Sequence, residues 1–195
     1  MATPPERRLP RFGRTERTLH WVHASAFLVL FGTGLCLYLP SLAELVGRRP
    51  LMKSIHIYTA VAWAIAIVVV VVLGDRKTLW ATVREIDRLD SSRMNVGQKL
   101  NAIVTAAFAI LFAVSGFFLW LGERDTRYRL PNALLVHDWL MDVSLFLFVG
   151  HLFLALIYPR TRHALSGMTR GWVDEEWARE HHPRWAASVT DRSRG

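Results

Sequence analysis

The sequence predicts an all-α integral membrane protein, a four-transmembrane-helix bundle with cytoplasmic N- and C-termini. Of its 195 residues 52% are hydrophobic, yet it also carries 24 Lys+Arg and 16 Asp+Glu. The two populations are segregated, with apolar runs of about twenty residues alternating with short segments that hold nearly all the charge. Each run is long enough to cross a hydrocarbon core of about 30 Å as a helix. The basic residues, in turn, crowd one set of connecting segments and leave the other set sparse.

Taken in order, residues 1–18 form an N-terminal arm with five arginines and several prolines. The apolar stretch after it is too long for a cleaved signal peptide and lacks a small-residue cleavage site, so the first span is expected to be retained. That span covers about residues 19–39 and stops at Pro40, whose ring clashes with the preceding turn and which lacks an amide hydrogen. Span two covers about 54–73 and is ended by Gly74 and Asp75; its Val/Ile run from Ile65 to Val72 reads locally like a buried strand. Inside lipid, though, a segment of this length must satisfy its own backbone and is therefore helical. Span three covers about 98–121, and span four about 133–158, before Pro159. The expected organisation is thus the arm 1–18, a membrane domain 19–159 and a polar, aromatic-rich tail 160–195 read as a soluble amphipathic helix.

With the arm inside, the cytoplasmic side carries Arg7, Arg8, Arg11, Arg14 and Arg17, six basic residues between Arg76 and Lys99, and seven after Tyr158. The opposite side keeps Arg48, Arg49, Lys53, Arg124, Arg127 and Arg129, so eighteen stand against six. The net charge of +8 lies in ribbons beside the spans, which makes anionic lipid headgroups, not nucleic acid, the expected partner. The single cysteine, Cys36, excludes an internal disulfide and a cysteine-ligated iron–sulfur cluster.

Ionisable side chains inside a membrane are costly and mark function by default. Four of the eight histidines, His20, His56, His137 and His151, fall on the spans or at their ends. His56 and His137 each lie about one turn below the outer face, whereas His20, with His23 one turn on as an alternative, lies near the inner face. His151 follows His137 by fourteen residues, which is roughly 21 Å along a helix and nearly the same side of it. Two imidazoles at each of two depths is the arrangement that clamps two haem irons axially, and with no coordination position left open such haems carry electrons. The plainer reading of any one of these histidines is an interhelical hydrogen bond. Gly32, Gly34, Gly116 and Gly150 would let a flat macrocycle approach the backbone, or would simply allow close helix packing. Asp138 and Asp142, four apart on span four, hint at a proton path or at a contact with the outer interface.

Beyond the histidines, His20-Trp21, Asn95-Val96-Gly97-Gln98-Lys99, Met168-Thr169-Arg170-Gly171, Trp177-Ala178-Arg179 and His181-His182-Pro183-Arg184-Trp185 stand out. With them the chain resembles, over nearly its whole length, the gamma (cytochrome b) subunit of membrane-bound bacterial formate dehydrogenases. The resemblance implies a multi-pass protein of the bacterial cytoplasmic (inner) membrane. It would be the electron-transfer and quinone-reducing subunit of an oxidoreductase complex and not the subunit that oxidises substrate. Electrons would pass from an iron–sulfur (beta) subunit, fed by a molybdenum or tungsten catalytic (alpha) subunit on the outer face, through two haem b groups to menaquinone or ubiquinone. It places the outer haem iron on His56 and His137 and the inner one on His20 and His151, choosing His20 over His23 because the motif sets the ligand before the tryptophan. The quinone would sit by His151, Asn95, Gly97 and Gln98, although Asn95 is also positioned to cap span three. The chain departs from the family pattern at Ile57, where proline is expected, at Leu152-Phe153 after His151, and in a short basic first outer loop. Those outer loops contact the soluble partner, so the cytochrome of a hydrogenase or thiosulfate reductase type complex is the nearest alternative, and a haem-free transporter or membrane anchor a more distant one.

Overall fold

The computed structural model describes residues 7–87 and 92–192. The first six residues of the arm and residues 88–91 of the second connecting segment lie outside the described residues, as do 193–195.

The described chain is mainly helical. Helix α1 is Arg14–Tyr38, α3 is Arg49–Leu73, α5 is Val96–Arg124 and α6 is Ala133–Leu152, and between the first two the short α2, Pro40–Val46, starts at the proline that ends span one. Pro40 cannot extend a helix from within but fits its first turn, where no amide is needed. A π-helical turn, Phe153–Ile157, prolongs α6 up to Pro159. Among the described residues four helices are long and apolar enough to cross a membrane: Arg14–Tyr38, Arg49–Leu73, Val96–Arg124 and Ala133–Ile157.

Helix α3 has no buried residue, and side chains such as Ile65, Phe146 and Ile157 are 60%, 78% and 64% exposed. Only a lipid environment makes so much exposed apolar surface favourable. The spans are longer than the apolar count requires: α1 starts five residues early and α5 runs to Arg124, because polar residues at the water boundary continue a helix without cost.

The chain forms two compact units. One, drawn from Trp21–Val69 and Val104–Val149, holds the middles of all four spans. Within it Phe27 of α1 packs on Phe148 of α6 at 5.1 Å between ring centroids.

The other unit, drawn from Met1–His20, Val70–Ile103 and Gly150–Gly195, is built around polar segments. The segment after span two forms α4, Arg76–Asp87, where the sequence reading placed only a connection. Asp75 caps it, accepting from the Lys77 and Thr78 amides at 3.0 and 3.2 Å and from the Thr78 hydroxyl at 2.7 Å; those bonds hold its carboxyl below the usual range. The tail is not one amphipathic helix. It folds into α7 (Pro159–Arg162), α8 (Leu165–Thr169), β2 (Trp172–Asp174), α9 (Glu175–His181) and α10 (Pro183–Arg192). Strand β2 pairs antiparallel with β1, Arg8–Pro10, with Leu9 opposite Val173. These two side chains join Trp177, Ala178, Trp185 and Ala186 in a water-excluding core that ties arm to tail.

Candidate functional site

In the unit of the four span centres, His56 on α3 faces His137 on α6, their ring centroids 6.2 Å apart and their planes at 65°. Each ring is backed by a hydroxyl on a third or fourth helix. Thr33 Oγ1 of α1 stands 2.9 Å from His56 Nδ1, and Ser115 Oγ of α5 stands 2.9 Å from His137 Nδ1. A glycine follows each hydroxyl residue. A Cβ on Gly34 would lie 3.6 Å from His56 Cε1, and one on Gly116 would lie 3.4 Å from His137 Cε1. A methyl at either position would make ordinary van der Waals contact with its imidazole, so each glycine backbone lies one methyl's breadth from a ring.

In the other unit His20 of α1 and His151 of α6 form a second pair, again 6.2 Å between centroids, with planes at 51°. A Cβ on the neighbouring Gly150 would meet nothing within 4 Å. His23 packs instead on Phe27 and Trp63, at 6.4 and 5.9 Å. Immediately after His151 the helix widens to the π turn, where the Tyr158 amide bonds to the Phe153 carbonyl at 2.9 Å. Such turns recur where a helix has been reshaped around a site.

A metal–imidazole bond of about 2 Å, with roughly 1 Å more from nitrogen to ring centre, sets two imidazoles across one metal ion about 6 Å apart. Both pairs meet that spacing. Among the described residues no group of three or more His, Cys, Asp or Glu is placed to hold a bare metal ion.

Residues 11–171 match the family model for prokaryotic cytochrome b561. The chain belongs to the prokaryotic cytochrome b561 family. It is similar to the formate dehydrogenase cytochrome b556(fdo) subunit of Escherichia coli K12, 26% identical over 92% of each chain. The formate dehydrogenase cytochrome b556 subunit of Haemophilus influenzae is 25% identical over 91% of this chain and 82% of that one. The nitrate-inducible cytochrome b556(Fdn) subunit of Escherichia coli K12 is 22% identical over 89% and 88%. A cytochrome b of this family carries haem b, and this one is a multi-pass membrane protein. The residues fit that group: paired imidazoles at the spacing of axial ligands, with glycines beside them.

The segment Asn95-Val96-Gly97-Gln98 is a capping box at the start of α5. Asn95 Oδ1 accepts from the Gln98 amide at 2.8 Å, and Gln98 Oε1 accepts from the Asn95 amide at 3.0 Å. Both side-chain oxygens are therefore engaged, and the Asn95 Nδ2 donor is left outside the cap. Gly97 is exposed, and no hydrogen bond or ring contact among the described residues joins His151 to Asn95, Gly97 or Gln98. Lys99, in the same turn, is fully buried.

Gln98 Oε1 also accepts from Arg11, at 3.2 Å. Arg11 is 3% exposed and further donates to the Arg93 carbonyl at 2.9 Å and to His182 Nε2 at 3.0 Å. Since a guanidinium only donates, His182 Nε2 accepts and its Nδ1–H points to the Ser92 carbonyl, 2.9 Å away. Burial first, and then the Arg11 charge, lowers the His182 pKa to about 4, while burial and Arg93 bring Arg11 down to about 10. Arg93 bridges Glu16 and Glu85, each at 2.9 Å. His182 is thus a buried structural group. Asp142 is exposed.

Neither Thr33 nor Ser115 stood out in the sequence. The signal that would have found them is the repeated dipeptide of a hydroxyl residue followed by glycine, Thr33-Gly34 and Ser115-Gly116, on spans one and three.

Proposed function

We propose that this chain is the membrane cytochrome b subunit of a formate dehydrogenase-type respiratory complex, carrying electrons through two haem b groups to a quinone. The observation that carries this reading is the recurrence of one imidazole spacing, 6.2 Å, at His56/His137 and at His20/His151. His56 and His137 hold the outer haem iron and His20 and His151 the inner one. The bound haems supply one-electron transfer, and two imidazoles per iron close the remaining coordination positions to oxygen. The chain supplies fixed ligand geometry and the partners that orient each ring.

The basic count supports both termini, the arm 1–18 and the tail 160–195, in the cytoplasm and the domain 19–159 in the bacterial inner membrane, with anionic lipid against the basic ribbons. Electrons enter from an iron–sulfur subunit on the outer face, itself fed by a molybdenum or tungsten subunit. They leave to menaquinone or ubiquinone beside His151, Asn95, Gly97 and Gln98, each quinone taking two electrons and two protons. The first donor there is Asn95 Nδ2 and a looser one is Gln98 Nε2, because the capping box uses Asn95 Oδ1 and Gln98 Oε1. The names of the similar proteins support formate as the primary reductant. The short basic loop with Arg48, Arg49 and Lys53 supports a second reading, a hydrogenase or thiosulfate reductase type partner.

The test is haem stoichiometry and electron source. Purified protein is expected to show a b-type band with two haems per chain, reduced by formate in the gently solubilised complex. Fewer than two haems would overturn the ligand assignment, and reduction by hydrogen or thiosulfate instead of formate would move the chain to the second reading.

A further inference from the structure

The two imidazoles of the His56/His137 pair are backed in the same way from two different helices, and the hydrogen-bond bookkeeping decides which nitrogen carries the proton. Thr33 Oγ1 lies 2.7 Å from the Val29 carbonyl and 3.2 Å from that of Leu30. Ser115 Oγ lies 2.7 Å from the Leu111 carbonyl and 3.3 Å from that of Phe112. Two oxygens at 2.7 Å need a proton between them, so each hydroxyl spends its single hydrogen on its own helix. What each hydroxyl then offers the ring 2.9 Å away is a lone pair, and Nδ1 must be the donor. The proton is therefore on Nδ1 of both rings, and Nε2 of both is left with its lone pair.

Thr33 is 8% and Ser115 4% exposed, so bulk water does not compete for these contacts. A glycine beside the ring follows each hydroxyl, and the arrangement is repeated on two helices distant in sequence. We propose that Thr33 and Ser115 are positioning residues that fix the Nδ1–H tautomer of His56 and His137, present both Nε2 atoms to one haem iron, and lower the reduction potential of that haem. The inference rests on the proposed ligation and goes beyond it. A hydrogen bond accepted from Nδ1–H makes the imidazole a stronger donor at Nε2 and so favours the ferric state.

The experiment is a redox titration of the purified two-haem protein followed at the b-type band, with Thr33→Val and Ser115→Ala singly and together. Thr33→Val keeps the shape of the buried side chain, and Thr33→Ser and Ser115→Thr keep the hydroxyl. In the double variant the ferrous-to-ferric ratio of one haem, read at a fixed potential, is expected to rise about tenfold, equivalent to about 59 mV for one electron. The other haem should not move, and the hydroxyl-retaining variants should titrate like the parent. Loss of that one haem from the double variant, rescued by the hydroxyl-retaining pair, supports the proposal equally, since ligand-orienting partners tune affinity by about 10–100-fold. An unshifted potential in the double variant, or the same shift in Thr33→Ser as in Thr33→Val, overturns it. His56→Ala in the same series separates the two levels: if that variant keeps both haems, the ligand assignment itself fails, whereas its loss of one haem beside an unshifted Thr33→Val sinks only the role of the hydroxyls.

Discussion

His137 and His182 present the same imidazole in two settings, one among the apolar span centres and the other in the polar unit of arm and tail. Each directs Nδ1 at an oxygen 2.9 Å away, the Ser115 hydroxyl in one case and the Ser92 carbonyl in the other. The difference lies at Nε2. In His182 it accepts from Arg11 at 3.0 Å and is used up by the fold. In His137 it makes no hydrogen bond among the described residues, and the ring faces a second imidazole at ligand spacing. On the proposed ligation, a half-buried histidine with one nitrogen satisfied and the other facing a partner imidazole serves binding, whereas a histidine with both satisfied serves the fold. Burial alone distinguishes nothing, since His182, the structural one, is the more buried residue.

Exchanging the two side chains for ones that cannot do either job breaks the comparison most sharply. His137→Ala is expected to take the haem count from two to one per chain and to lower quinone reduction by at least about 100-fold, since a lost ligand costs more than a lost orienting partner. His182→Gln is expected to leave two haems per chain and to expose the tail to protease. Haem analysis of both variants, beside limited proteolysis, is the check. A two-haem His137→Ala, or a His182→Gln that loses haem, would reverse the roles.

The spans were legible because lipid imposes a simple rule, a long apolar run with an internally satisfied backbone, and the four helices follow it. Legible too were the four histidines, since an ionisable group in such a run stands out. What stayed hidden has a physical reason in each case. The pairing of Arg8–Pro10 with Trp172–Asp174 joins three-residue strands more than 160 positions apart, too short to show an alternating pattern. Helix α4 lies in a stretch whose charges read as a connection. The burial of His182 has no local signature because its neighbours, Arg11 and Ser92, are remote in sequence. Thr33 and Ser115 resemble the many hydroxyl residues that bond only to their own helix, and the second contact of each depends on how the helices pack.

Asn95 carries the same opposition within one side chain, its oxygen holding the fold and its nitrogen available to a ligand. Asn95→Ser keeps a capping oxygen but removes the amide donor, whereas Asn95→Ala removes both. The expected result is a quinone KM raised to a similar extent, by about five- to tenfold, in both variants, as fits one lost hydrogen bond of about 1–1.5 kcal/mol. Only Asn95→Ala should also lose stability, by about 1 kcal/mol, through the missing cap. Steady-state kinetics with a soluble quinone analogue and a thermal melt read the two effects separately. A KM that follows the melt in both variants would leave Asn95 with the cap alone.

The smallest effect concerns pH. The folded-state pKa of His182 is lowered to about 4 from the ordinary 6.5, chiefly by burial and then by the Arg11 cation, with the hydrogen bond to the Ser92 carbonyl and, less, Glu85 opposing. Between those two values the unfolded tail binds a proton that the folded one refuses, so stability rises with pH through this window. The contribution is fully present above about pH 6.5 and is lost as pH falls toward 4, with a slope of at most about 1.4 kcal/mol per pH unit for one proton. Protonation would also set an imidazolium against Arg11, breaking the bond at Nε2. Amide exchange in residues 172–190 should therefore quicken as the pH drops from 6.5 to 4, after correction for its intrinsic pH dependence. His182→Gln, which has nothing to titrate, should flatten that dependence. A parent protein whose tail protection is constant across the window would show that His182 is free to take its proton without leaving Arg11.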